Sequence, residues 1–145
     1  MTLARSTEGH MKERILVVDD NHDAADSLAR LIRSFGHEVK AVYDGATALV
    51  EVTEFEPDMA LVDIGMPGLN GYETISQLRE RRGNVHLIAV AVTAWSRDED
   101  KLKAYESGFD LHVAKPMTLE KLKELLLLLD PHHSDDELSG DASGA

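Results

Sequence analysis

The residues able to do chemistry here are three carboxylates and one ammonium. Asp19-Asp20 follow Ile15-Leu16-Val17-Val18, Asp63 follows Met59-Ala60-Leu61-Val62, and Lys115-Pro116 follow Phe109-Asp110-Leu111-His112-Val113-Ala114. Each lies at or just beyond the C-terminal end of a short apolar run that reads as a buried strand. Open α/β sheets bind ligands at the carboxyl ends of their strands. Parallel neighbours would therefore gather all four groups on one sheet edge. Crowded carboxylates repel, and one is driven toward protonation unless a cation stands among them. Oxygen-only donors suit a hard ion such as magnesium, and a nearby lysine suits phosphate. The set outlines a phosphoryl-transfer site.

Five alternations of strand and helix must position these groups. Residues 14–18 predict a strand, followed by a helix near 22–35. Ala25, Leu28, Leu31, Ile32 and Phe35 recur there at helical spacing, and Gly36 offers a stop. A shorter strand spans 39–43, and Asp44 is placed to cap a helix through Phe55, with Leu49 and Val52 inward. Pro57-Asp58 ends it before a strand over 59–63. Met66-Pro67-Gly68-Leu69-Asn70-Gly71 is a loop of turn formers, and a helix over 72–81 turns Ile75 and Leu78 inward. Its Arg79-Glu80-Arg81-Arg82 end suits the helix dipole. Residues 86–92 predict a fourth strand, apolar throughout and so covered on both faces. A polar helix near 97–107 stops at Gly108, a strand covers 110–114, and a last helix runs from Thr118 to Leu129 before Pro131.

Five such units predict an α/β fold: a right-handed, doubly wound, five-stranded parallel sheet with helices on both faces. The flavodoxin-like order 2-1-3-4-5 puts its switch point between strands one and three, where Asp19-Asp20 and Asp63 end.

The rest of the chain sets limits. Residues 1–12 read as a flexible arm, 13–131 as one folded domain, and 132–145 as a disordered acidic tail. With 15 Lys and Arg against 27 Asp and Glu, the formal charge of −12 disfavours nucleic acid and anionic membranes. The absence of cysteine removes disulfides, thiolate catalysis and cysteine zinc sites. No apolar stretch approaches the ~18 residues of a membrane span, and no signal peptide opens the chain, so a cytoplasmic location is expected.

Taken together, Asp19-Asp20, the segment Asp63-Ile64-Gly65-Met66-Pro67-Gly68-Leu69-Asn70-Gly71, Thr93-Ala94 and Lys115-Pro116 resemble the receiver domain of two-component response regulators. The resemblance covers residues 14–130. It implies that Asp63 accepts a phosphoryl group from a phosphohistidine on a histidine kinase or histidine phosphotransfer protein. It assigns magnesium to Asp20, Asp63 and the Gly65 carbonyl, with Asp19 acting mainly through water. Thr93 would hydrogen-bond the phosphoryl oxygens, Lys115 would pair with them, and the Lys115-Pro116 bond would be cis. Kinase specificity would be sought at Asp23, Ala24, Ser27 and Leu28. A downstream protein, or a second copy of the chain, would meet the last helix and fifth strand.

Each assignment has a plainer counterpart. Asp63 could cap a turn, the acidic pair could cap the first helix unless Asn21 does so, and Lys115 could be a solvated charge. His112 stands where receivers often carry a switching Tyr or Phe; it is either a half-buried strand histidine or, together with Thr93, part of a switch that its imidazole would make pH-sensitive. Gly65 and Trp95 flank the site, where an absent side chain and a shielding ring would both slow loss of the phosphoryl group. Leu125 to Leu129 exceed one helical turn, so at least one leucine should face outward. With only the tail after the domain, output is expected through protein contacts. The alternatives are a receiver-fold binding module that is never phosphorylated and a magnesium-dependent phosphatase. The latter lacks a second acid two residues beyond Asp63. A flavin site would meet repulsion from Asp19-Asp20-Asn21-His22-Asp23.

Overall fold

The computed structural model describes residues 13–65, 71–82, 87–94 and 98–129. The expected N-terminal arm, most of the 66–71 loop, Trp95 and the acidic tail lie outside them. Along the chain run β1 (Arg14–Val18), α1 (His22–Ser34), β2 (Glu38–Val42), α2 (Gly45–Glu54) and β3 (Met59–Asp63). They are followed by α3 (Gly71–Arg82), β4 (Ile88–Thr93), α4 (Asp98–Ser107), β5 (Leu111–Ala114) and α5 (Leu119–Leu127). All pairings are parallel, in the predicted order β2-β1-β3-β4-β5.

Alternation along the strands splits the core in two. Leu16, Val18, Ala60, Val62, Ala89 and Ala91 face α2, α3 and α4, where they meet Ala48, Val52, Ile75, Leu78 and Ala104. Ile15, Val17, Met59, Leu61, Val90 and Val92 face α1 and α5, against Ala25, Ile32, Leu122 and Leu125. Each large side chain buried this way contributes about 1.5–3 kcal/mol. Asn21 caps α1 by accepting the Ala24 N–H at 3.0 Å, which releases Asp19 and Asp20 from that task. Asp44 caps α2 through the Thr47 N–H at 2.7 Å, as predicted, and Thr118 caps α5.

Several boundaries differ from the sequence expectation, each for a local reason. β2 starts one residue earlier because the Glu38 N–H donates to the Glu13 carbonyl. β4 extends through Thr93, whose carbonyl accepts the Lys115 N–H at 2.7 Å and so prolongs the ladder with β5. α5 ends at Leu127; the N–H groups of Leu128 and Leu129 turn to carbonyls three residues back, a tighter closing turn. Leu127 is the outward leucine of the run, 41% exposed. On α1 the buried line is Ala25, Ala29 and Ile32. Leu31 and Phe35, expected on that face, are 37% and 38% exposed. On a 3.6-residue period they lie roughly 90–130° from the buried line.

The amino-terminal edge of the sheet is locked by one device used twice. Asp58, just before β3, accepts the Arg14 N–H on its carboxylate at 2.8 Å while its own N–H donates to the Arg14 carbonyl. Asp110, just before β5, does the same with Ala89. Two guanidinium groups complete this edge. Arg14 donates to Glu38 and to the Phe55 carbonyl. Arg79 reaches from α3 to the carbonyls of Gly108 and Leu87 and to the Asp110 carboxylate, with bonds between 2.6 and 3.0 Å.

Candidate functional site

At the opposite edge, β1 and β3 are adjacent, paired from Ile15 with Met59 to Val18 with Val62. That register sets Asp19 and Asp63 side by side where the two strands end. The Asp19 N–H still bonds the Val42 carbonyl, fixing the turn, and Asp19 is buried while Asp20 is exposed. Carboxylate oxygens of Asp19, Asp20 and Asp63 all lie within 4.8 Å of one another.

Lys115 closes the group. Its Nζ stands 3.2 Å from Asp19 Oδ2 and 3.4 Å from Asp63 Oδ2, and the Lys115-Pro116 bond is cis, as expected. The remaining oxygens are partly engaged: Asp19 Oδ1 accepts the Asn21 N–H at 3.0 Å, and Asp63 Oδ1 accepts the Gly65 N–H at 2.9 Å.

One ammonium does not offset three carboxylates. Burial raises the pKa of Asp63 and the neighbouring Asp19 charge raises it further; the Gly65 N–H and Lys115 pull it down without restoring it. For Lys115 burial acts downward, but the bond to Asp19 and the charges of Asp63 and Asp19 outweigh it, so its pKa is raised. The fold therefore gathers negative charge faster than it neutralises it. All-oxygen donors at this separation, two of them largely withdrawn from solvent, fit a hard divalent cation.

Thr93, at the end of β4, is buried and lies in register with Ala114, one residue before Lys115. His112 is half-buried, pairs with Ala91, and shares a sheet face with Thr93, which lies two residues beyond Ala91 on β4. Gly65 is exposed, and a side chain there would meet nothing closer than Asp63 Oδ1 at 3.5 Å, so space does not demand glycine.

Gly71 is different; the sequence marks it as a turn former and as the last residue of the Asp63–Gly71 segment, without giving the reason for a glycine there. A Cβ at Gly71 would stand 2.4 Å from Ile64 Cα and 2.9 Å from the Asp63 carbonyl oxygen. The first turn of α3 thus presses on the backbone that carries Asp63, a contact only glycine allows.

Residues 15–127 match the family model of the response regulator receiver domain. The chain is 38% identical over 114 residues to the transcriptional regulatory protein PrrA of Mycobacterium leprae (strain TN), covering 79% of this chain and 48% of that protein. It is 33% identical over 119 residues to the hybrid signal transduction histidine kinase L of Dictyostelium discoideum, covering 78% of this chain and 7% of that one. The chain thus spans about half, or far less, of the curated relatives it matches. Among solved structures, a CheY-like response regulator receiver domain protein from Methanospirillum hungatei JF-1 superposes with a TM-score of 0.76 at 23% identity. That superposition covers 86% of this chain and 98% of the other, and likens the two in fold.

Proposed function

The chain belongs to the response regulator receiver domain family, and we propose that within it Asp63 is the phosphoacceptor of a two-component phosphorelay. One observation carries this. Asp63 is a carboxylate largely withdrawn from water at a strand end, shared among Asp19, Asp20 and the Lys115 ammonium, with more negative charge than the protein neutralises.

Asp20, Asp63 and the Gly65 carbonyl would hold magnesium, with Asp19 acting through water; the ion supplies neutralisation of charge on carboxylate and phosphoryl oxygens. In the transfer, a carboxylate oxygen of Asp63 forms the new O–P bond as the N–P bond of a phosphohistidine breaks. The bonding pair stays on the imidazole nitrogen, which takes a proton from solvent. A carboxylate suffices as nucleophile because phosphorus already carries a good leaving group. What remains is alignment and charge. Lys115, tethered to Asp19 and Asp63 beforehand, turns to the arriving phosphoryl oxygens, and Thr93 offers its hydroxyl to them. His112, on the same face as Thr93, passes the rearrangement toward α4.

The phosphodonor is a histidine kinase or a histidine phosphotransfer protein. Output runs through protein contact, to a downstream protein or a second copy of this chain. Leu102 and Tyr105 on α4, with Leu119 and Leu127 on α5, supply exposed apolar surface for it. Among the described residues, no helix is long and apolar enough to cross a membrane.

Intact mass after incubation with magnesium and acetyl phosphate tests the proposal. Gain of one phosphoryl group, absent in Asp63→Asn and absent without the metal, is the expected result. Equal gain by wild type and Asp63→Asn overturns it.

A further inference from the structure

A groove away from the acidic site runs between α1 and β2, the edge strand of the sheet, enclosing a cavity of about 390 Å³. On a chain of net charge −12 this groove is basic. Arg30, Arg33 and Lys40 line it, and the one carboxylate among them, Asp26, is already engaged, accepting the Tyr43 hydroxyl at 2.6 Å. Lys40 bonds Glu51 at 3.0 Å, and Arg33 spends one N–H on the Val39 carbonyl at 3.3 Å. Arg30 makes no hydrogen bond or ion pair among the described residues.

The groove also carries an open strand edge. Glu38 donates to Glu13 and Val42 accepts from Asp19, so the even-numbered residues of β2 turn their backbone groups to β1. With a period of two, Val39 and Ala41 turn theirs outward. An extended segment laid there gains main-chain hydrogen bonds, while acidic side chains along it meet the arginines.

We propose that this groove is the docking site of the chain's own acidic segment, residues 134–141. That segment, Ser-Asp-Asp-Glu-Leu-Ser-Gly-Asp, holds four carboxylates and no cation, the complement of the groove. Leu129, the last described residue, belongs to the same apolar cluster as Ile32, Val39, Ala41 and Tyr43. The chain therefore leaves the fold on the sheet face that bears the groove. Between Leu129 and Asp135 the backbone spans at most about 20 Å, enough to cross one helix of ~10 Å diameter. Docked there, the segment lies alongside α1 and screens its basic flank.

The absence of native cysteine makes a direct test possible in the full chain. Ser139→Cys receives a nitroxide, and amide signals are compared with the label oxidised and reduced. The expected result is loss of the Val39 and Ala41 signals, restored in Arg30→Glu/Arg33→Glu. Because reversing two charges on α1 could disturb the fold, Asp135→Asn/Asp136→Asn/Glu137→Gln must restore them as well. Uniform loss over the surface, loss centred on Leu102 and Tyr105, or loss surviving both sets of substitutions overturns the proposal. So does loss arising only between labelled and unlabelled molecules in a mixed sample, which would make a second copy the occupant.

Discussion

The two ends of one sheet are built on opposite electrostatic terms. At the amino-terminal edge, Asp58 and Asp110 each clamp a neighbouring strand, while Arg14 and Arg79 supply the donors that remaining carbonyls and carboxylates need. At the carboxyl-terminal edge, Asp19, Asp20 and Asp63 crowd around one ammonium, and the pKa of Asp63 rises because burial and Asp19 outweigh its helpers. Buried polar groups with partners hold a fold in register, whereas groups short of partners retain binding capacity. Partnered polar groups are concentrated at one edge and unneutralised charge at the other, with some 20 Å of strand between them.

The contrast can be broken most severely at Gly71, where α3 couples the backbone of Asp63 to the core. Gly71→Ala forces the Ile64 backbone to move and should cost about 3 kcal/mol or more. Chemical denaturation would show that loss, and phosphoryl acceptance should fall with it even where the chain remains folded. Arg79→Ala attacks the other edge. It removes four hydrogen bonds and should cost about 2–3 kcal/mol, the partial exposure of the pair already allowed for. Here acceptance per folded molecule should stay at the wild-type level. If it vanished instead, the two edges would not be independent.

Asp63→Asn should act in the opposite sense. A folded-state pKa raised above the ordinary 3.8 means that the fold prefers this carboxyl protonated. Its stabilising contribution is present below 3.8 and is lost as pH rises through the raised value. At neutral pH without metal the variant should therefore melt above wild type, by a few degrees at most. The gap should close as the solution is acidified. Magnesium at 100 times its dissociation constant should stabilise wild type by about 2.7 kcal/mol and the variant far less. The smallest effect is expected at Glu56, which precedes Pro57 with φ of +52°. Glu56→Gly should relieve a left-handed strain of about 1 kcal/mol and raise the melting temperature without touching the site.

What the sequence disclosed follows the same division. Asp19-Asp20, Asp63 and Lys115 are legible because each is a short motif at the end of an apolar run, and the winding rules for parallel sheets bring those ends together. Strand order, helix caps at Asn21 and Asp44, and the outward leucine follow from equally local signals. The amino-terminal edge is not legible in that way. Arg79 lies 29 residues before Gly108 and reads from sequence only as a basic helix end. Asp58 reads as a turn former and Asp110 as the first residue of a strand until the neighbouring strand arrives to use their carboxylates. Gly71 is concealed among other turn residues, since its necessity is a distance across space. Leu31 and Phe35 share helical spacing with the buried line but drift to its flank, a difference of angle that residue type does not encode.

Trapping the acceptor by residue is the most direct measurement. After magnesium and acetyl phosphate, borohydride reduces an aspartyl phosphate to homoserine, and peptide mass spectrometry then locates the altered position. Conversion at Asp63 alone, lost when magnesium is withheld, is the predicted result. Conversion at Asp19 or Asp20, or distributed among all three carboxylates, would contradict the assignment of Asp63 as the nucleophile.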